Sequence, residues 1–154
     1  MLSIFVEIMI IDIKKIRLSG KDEQAFFFEY LPETDLVDIP NAKLITPIKV
    51  SGTAYITGNH TLYIEGSVNF KIEGECTRCL NHAEKEFVID FAENFDSETE
   101  GSYPVVCDRV DLSVIVNDLI IMNIPVSFLC KEDCKGLCAV CGANLNEGAC
   151  KCEK

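Results

Sequence analysis

From Ile48 to Ile72 the chain alternates apolar and polar residues with a period of two, the signature of strands with one buried face. Ile48, Val50, Gly52, Ala54 and Ile56 share one side, with Lys49, Ser51, Thr53 and Thr57 on the other. Gly58-Asn59 marks a turn, after which Leu62, Ile64, Gly66, Val68, Phe70 and Ile72 alternate against Thr61, Glu65, Ser67, Asn69, Lys71 and Glu73. A third strand follows, with Phe87, Ile89 and Phe91 set against Glu86, Val88 and Asp90. Together these predict an antiparallel meander with one face covered. Gly52, Gly66 and Gly74 inside the strand patterns predict bulges or tight curvature, and so a strongly bent sheet.

Upstream, Ile10 to Ile16 and Ala25 to Tyr30 are rich in β-formers, and Gly20-Lys21-Asp22 lies between them as a turn signal. They predict a pair of strands, followed by a polar connector from Leu31 to Pro40. Glu84 to Asp111 hold nine acids against Lys85 and Arg109, and Glu93 to Tyr103 lack periodicity, which predicts a mobile acidic loop. Its carboxylates lack the fixed spacing of a calcium loop. Asp111 is placed to cap a helix over 111–123, because Leu112, Ile115, Val116, Leu119 and Ile120 fall on one stripe and Pro125 ends it. Val114 and Ile121 lie on the opposite side, so this helix is expected to be covered by the zinc lobe or to offer a partner-binding patch, cover within the fold being the preferred reading.

The predicted fold class is therefore α+β: a bent antiparallel meander with one main helix and a C-terminal Cys-rich zinc-binding lobe. The expected division is a β-rich domain over 1–126 and a metal-binding lobe over 127–154 packed on it. The lobe has few large apolar residues, Leu137, Val140 and Leu145 among them, so something other than apolar burial must order it. Structural zinc can do so, contributing on the order of 10 kcal/mol or more in small peptides.

Six of the nine cysteines fall between Cys130 and Cys152. Cys138-x-x-Cys141-Gly142 has the form of a zinc knuckle, in which the glycine turns the backbone at positive φ and frees amides to point at sulfur. Cys150 and Cys152, at i and i+2 in an extended segment, point the same way and complete a four-thiolate set. Cys76-Thr77-Arg78-Cys79 is a second knuckle at the turn between two strands, and Cys130 and Cys134, one helical turn apart, would complete it. This gives two zinc sites, with Cys107 left over as a small buried residue. An equally sound pairing lets the two knuckles share one ion, leaving Cys130, Cys134, Cys150 and Cys152 for the other, and the spacing does not choose between them. Disulfides are disfavoured because no secretory signal is visible and cytosolic thiols stay reduced. Iron–sulfur ligation uses the same thiolates, but the knuckle spacing suits a single tetrahedral ion better. A CxxC redox couple lacks the βαβ setting it usually has. His82, beside the first knuckle, is a further ligand candidate, more often simply solvated.

Charge narrows the partners. The chain carries −11 at neutral pH, and two zinc–tetrathiolate sites at −2 each would bring it to about −15. Fourteen Lys and Arg against 25 acids make a poor generic phosphate binder. Ser127 to Lys154, with four Lys and four acids, is the exception, so any RNA contact is local and basic protein partners are favoured. The apolar opening, Met1 to Ile13, has no positive n-region, carries Glu7 and Asp12 and is too short for a bilayer, so it reads as neither signal peptide nor span. Met9 is an alternative start.

Catalytic signatures are missing: no phosphate-cradling loop, GxSxG or HExxH occurs, and two His leave little for proton transfer. Four-cysteine sites keep no open position for water. The expectation is a protein without enzymatic activity or small-molecule substrate.

The chain resembles the YceD family, the large ribosomal RNA subunit accumulation proteins. The resemblance rests on Cys76-Thr77-Arg78-Cys79-Leu80, on Val110-Asp111-Leu112, and on Pro125 leading into Cys130 to Cys141-Gly142-Ala-Asn-Leu-Asn146 and Cys150-Lys151-Cys152. It implies a cytoplasmic, non-enzymatic factor supporting processing or accumulation of large-subunit ribosomal RNA. Its partner would be the large-subunit precursor or a basic ribosomal or assembly protein. Some members lack the Cys138 to Cys152 group yet keep the first knuckle and ligands near Cys130 and Cys134, which implies the two-site partition. Ala139 departs from the Pro that many relatives place in the knuckle. The competing reading is a thiol-based redox or metal-sensing protein, distinguished by labile metal; a third is a zinc-ribbon subunit of a transcription complex.

Overall fold

The computed structural model describes residues 9–32 and 36–152. Expectations for residues 1–8 lie outside these. The elements run β1 (Ile10–Asp12), α1 (Ile13–Leu18), β2 (Glu23–Tyr30), β3 (Ala42–Leu44), β4 (Ile48–Ile56), β5 (Leu62–Glu75), β6 (His82–Phe95), β7 (Arg109–Asp111) and α2 (Leu112–Asn123). This is a mostly antiparallel sheet with two helices and a C-terminal cysteine cluster.

β5 is the spine. One edge pairs with β6 from Leu62↔Phe95 to Glu75↔His82. The other is shared, Leu62 to Asn69 going to β4 and Ile72 to Gly74 to β3, while β2 flanks β4. The registers run without a bulge among the described residues. Gly52 and Gly66 instead face each other across β4 and β5. A Cβ on Gly52 would collide with the Glu65 carbonyl and one on Gly66 with the Ser51 carbonyl, so close backbone approach, as fits a bent sheet, is what requires glycine here.

The alternation predicted for β4, β5 and β6 places Ile48, Val50, Ala54, Leu62, Ile64, Val68, Phe70, Ile72, Ile89 and Phe91 in the core. Phe70 and Phe87 stack at 5.3 Å across the strands. Helix α2 adds Leu112, Ile115, Val116 and Ile120. Its N-cap is Asp111, which accepts from the Ser113 N–H at 2.9 Å. Tyr30 Oη donates to Asn117 Oδ1 at 3.0 Å, tying β2 to α2.

Several expectations are corrected. Ile10 to Ile16 is not one strand and does not pair with Ala25 to Tyr30. Three residues form β1, which pairs with β7, and Asp12 then caps α1 by accepting from Lys14 and Lys15 N–H. Ile13 and Ile16, at helical spacing, are the buried pair. The Leu31–Pro40 connector also contributes to the core, because Val37 and Ile39 are buried.

The acidic segment is more structured than a free loop. β6 continues to Phe95, Asp96 N–H donates to the Tyr103 carbonyl at 3.0 Å, and Asp96 accepts from Glu98 N–H and Thr99 Oγ1. Cys107 is exposed rather than buried. With Asp108 it forms a tight turn, φ 51° and 59°, between reciprocal Val106 and Arg109 backbone hydrogen bonds. The outer side of α2 is not covered by the lobe: Val114, Ile121 and Met122 are 48%, 60% and 80% exposed. Among the described residues no helix is long and apolar enough to cross a membrane.

Candidate metal centres

The β5–β6 turn carries the first knuckle. Cys76 N–H donates to the Asn81 carbonyl, and Leu80 N–H closes back on the Cys76 carbonyl, both at 2.9 Å. The second knuckle repeats this closure, Gly142 N–H donating to the Cys138 carbonyl at 2.9 Å. Gly142 adopts the expected positive φ of 72°. Leu80 occupies the same position at φ 61°, a conformation that costs a side-chain-bearing residue roughly 1–2 kcal/mol.

After α2 the chain returns to the first knuckle. Phe128, fully buried, places its carbonyl 2.9 Å from Thr77 N–H, and Arg78 Nη1 donates to the Cys134 carbonyl at 3.0 Å. Cys130 and Cys134 are thereby delivered to Cys76 and Cys79, from a turn rather than the helical turn anticipated. All four sulfurs lie within 4.8 Å of one another, as do those of Cys138, Cys141, Cys150 and Cys152. The two knuckles thus belong to separate tetrads and do not share one. His82 belongs to neither; it is exposed and its Nε2 lies 3.6 Å from Glu73. Cys107 joins no group of potential ligands among the described residues.

The spacing is chemically specific. Cys76–Cys134, Cys79–Cys130 and Cys138–Cys152 are 3.7, 3.6 and 3.8 Å apart, sulfur to sulfur. A disulfide needs about 2.05 Å. A tetrahedron with Zn–S bonds of about 2.3 Å has edges of about 3.8 Å, close to these three separations, so each tetrad is compatible with one tetrahedral ion of its own.

Electrostatics favour thiolates where the knuckle amides converge. Burial alone would raise the Cys76 thiol, but N–H groups of Cys130, Cys79 and Arg78 pull it down to about 6. Cys138 is drawn to about 6 by the N–H groups of Cys141 and Val140. Cys130 is pushed up to about 12, first by burial and then by neighbouring thiols. Cys152 goes up to about 11, chiefly through the Cys141 thiol. Four thiolates so close repel one another unless a cation sits among them, and these eight cysteines are the residues that would hold one.

The sequence reading missed Asn146. From the loop between Cys141 and Cys150 its Nδ2 donates to Cys134 Sγ at 3.3 Å and to Asn144 Oδ1 at 2.9 Å, while its Oδ1 accepts from Lys135 N–H at 2.9 Å. The available signal was the Asn-Leu-Asn run, whose side chains favour local turns.

A family model described as "Large ribosomal RNA subunit accumulation protein YceD" matches residues 64–154, which include both tetrads. The chain belongs to the YceD family. Among curated proteins, the chloroplastic YCED homolog 1 of Arabidopsis thaliana is 36% identical over 153 residues, covering 77% of this chain and 46% of that protein. Its Zea mays counterpart is 33% identical over 66 residues, 42% of this chain and 22% of that protein. An uncharacterized Mycobacterium tuberculosis protein is 32% identical over 91 residues, 53% of this chain and 44% of that protein. The chain thus spans less than half the length of these relatives. No solved structure matches it.

Proposed function

We propose that this YceD-family protein is a non-enzymatic, zinc-binding factor in ribosome biogenesis that supports processing or accumulation of large-subunit ribosomal RNA. The observation that carries the metal half is the convergence of four sulfurs in each tetrad within 4.8 Å, with two edges of the first at 3.6 and 3.7 Å and one of the second at 3.8 Å, close to the edge of a zinc–tetrathiolate. The ions would be structural: with four sulfurs each, no position remains for a reacting water. The ribosomal half is supported by the family description and the name of the Arabidopsis relative.

The net charge of −11 favours contact with a basic ribosomal or assembly protein on the large-subunit precursor, in the cytoplasm, with RNA touched only locally. The test pairs metal analysis of reduced protein with co-sedimentation on large-subunit precursors at low and high salt. Two zinc per chain and association that does not reduce to naked RNA support the reading. Folded metal-free protein, or a steeply salt-dependent affinity for naked ribosomal RNA, overturns it. The redox or metal-sensor reading draws on the greater exposure of the second tetrad, whose Cys141 is exposed while Cys76, Cys79 and Cys134 are buried.

A further inference from the structure

The five-stranded sheet ends at β6, and β6 is long. Its 14 residues all pair with β5, while on the other edge the described residues supply only the Tyr103 contact at its C-terminal end. The register fixes what faces outward. Lys71 accepts from Ile45 N–H and Glu75 N–H donates to Asn41, so odd positions of β5 point towards β3 and even positions towards β6. Even positions of β5 oppose odd positions of β6, as in Ile72↔Lys85 and Gly74↔Ala83. The N–H and C=O groups of Glu84, Glu86, Val88 and Asp90 therefore point away from the sheet.

The side chains of these four residues are exposed as well. Among the described residues no backbone group bonds to this stretch of edge, and Glu84, Glu86 and Asp90 form no ion pair. Glu73 stands directly opposite Glu84, and Lys43 and His82 contact Glu73 rather than Glu84. Like charges in register destabilise a pair of strands, so a cation arriving beside Glu84 would relieve the strain.

An open edge is a template for another strand, and its charge selects which. A second copy of β6 would bring carboxylates against carboxylates. A strand with Lys or Arg at alternate positions would neutralise them and satisfy the outward amides and carbonyls.

We infer that the outward edge of β6, from Glu84 to Asp90, docks an extended basic segment of a partner protein. That segment joins the sheet as a further strand, with basic, basic, apolar and basic residues opposite Glu84, Glu86, Val88 and Asp90. This deepens the proposed function and rests on it for the partner being a basic protein.

The probe is a synthetic peptide of Lys, Val, Arg and Lys separated by Thr, titrated against the whole chain by fluorescence anisotropy, with amide exchange as the second readout. Binding should slow exchange at Glu86, Val88 and Asp90. Val88→Pro removes an outward N–H that the sheet does not use, as an edge strand tolerates. It should weaken binding by at least about tenfold with unchanged thermal unfolding, and Glu84→Gln/Glu86→Gln/Asp90→Asn should abolish its salt dependence. An N-methylated peptide tests the same hydrogen bonds without touching the protein, and should fail to bind.

Binding of the N-methylated peptide as tight as the parent, or protection elsewhere than β6, overturns the proposal. So does a ribosomal RNA fragment that protects the same amides and displaces the peptide. If Val88→Pro protein still co-sediments with large-subunit precursors, the edge is wrong and the ribosomal role stands. Peptide binding at β6 without precursor association keeps the edge and removes the ribosomal role.

Discussion

Asn146 lies between the cysteines of the second tetrad and donates its side-chain N–H to Cys134 of the first, at 3.3 Å. The loop of one centre thus supplies a hydrogen bond to a sulfur of the other. This contact pulls the Cys134 thiol below its ordinary range, the Asn146 amide being the largest cause. Removing such a partner typically weakens a metal site about 10- to 100-fold. Asn146→Ala should therefore loosen zinc at the first tetrad by roughly that factor and leave the second intact. Chelator competition on the otherwise wild-type chain, resolving the two release steps, checks this.

Apart from the Asn146 contact, loss of either tetrad should have a different consequence. If each tetrad holds one zinc as proposed, Cys138→Ser/Cys141→Ser should lower the metal content from two ions to one per chain while the sheet keeps its unfolding transition. Cys76→Ser/Cys79→Ser should release the segment after Phe128 from the hairpin tip, seen as protease sensitivity beyond Pro125. Equal loss of fold in both variants would contradict this division.

Leu80 holds a left-handed conformation that the second knuckle gives to Gly142. It is 56% exposed, so little packing opposes replacement. Leu80→Gly should stabilise the protein by about 1 kcal/mol, measured by chemical denaturation of the zinc-loaded form.

Facing glycines at 52 and 66 leave no room for a side chain on either strand. Gly66→Val should therefore cost more than about 3 kcal/mol, or prevent folding, because the obstructing atoms are backbone.

Acid should reveal Asp108. Hydrogen bonding to His60, the largest cause, with further help from Lys14, holds its carboxyl below the usual 3.8. A lowered carboxyl stabilises the fold above its unfolded value, and the contribution is lost as pH falls through the lower folded value. Stability should thus decline below about pH 4. Asp108→Asn, which tolerates the same turn, should flatten that limb; thermal unfolding from pH 6 to 2.5 measures it.

An ion held by these tetrads, zinc in the proposed reading, should also leave on acidification, since protons compete for thiolate sulfur. The more exposed second tetrad should empty first, followed by a metallochromic indicator during a slow pH ramp.

What could be read from the residues was whatever repeats with a fixed period or spacing. β4, β5, β6 and α2 show regular alternation or a helical stripe, and both knuckles announce themselves by CxxC. α1 escaped because its isoleucines favour a strand on propensity, and six residues carry little periodic signal against that. Val37 and Ile39 escaped because irregular segments bury side chains without a pattern. Cys107 was placed inside on residue type alone, whereas its turn with Asp108 needs both residues at positive φ, which composition does not announce. Asn146 was invisible because its sulfur partner is fixed by the folding of two loops, not by spacing.

The link from Cys79 to Cys130 spans 51 positions. A ribosome adds roughly 5–20 residues per second, so the hairpin tip emerges several seconds before the thiols that complete its tetrad. Through that interval the tip is a two-sulfur ligand with no local partners, open to whichever soft cation or oxidant it meets. A complete four-sulfur site at the tip therefore cannot form until Phe128 has reached Thr77 and brought Cys130 and Cys134 with it.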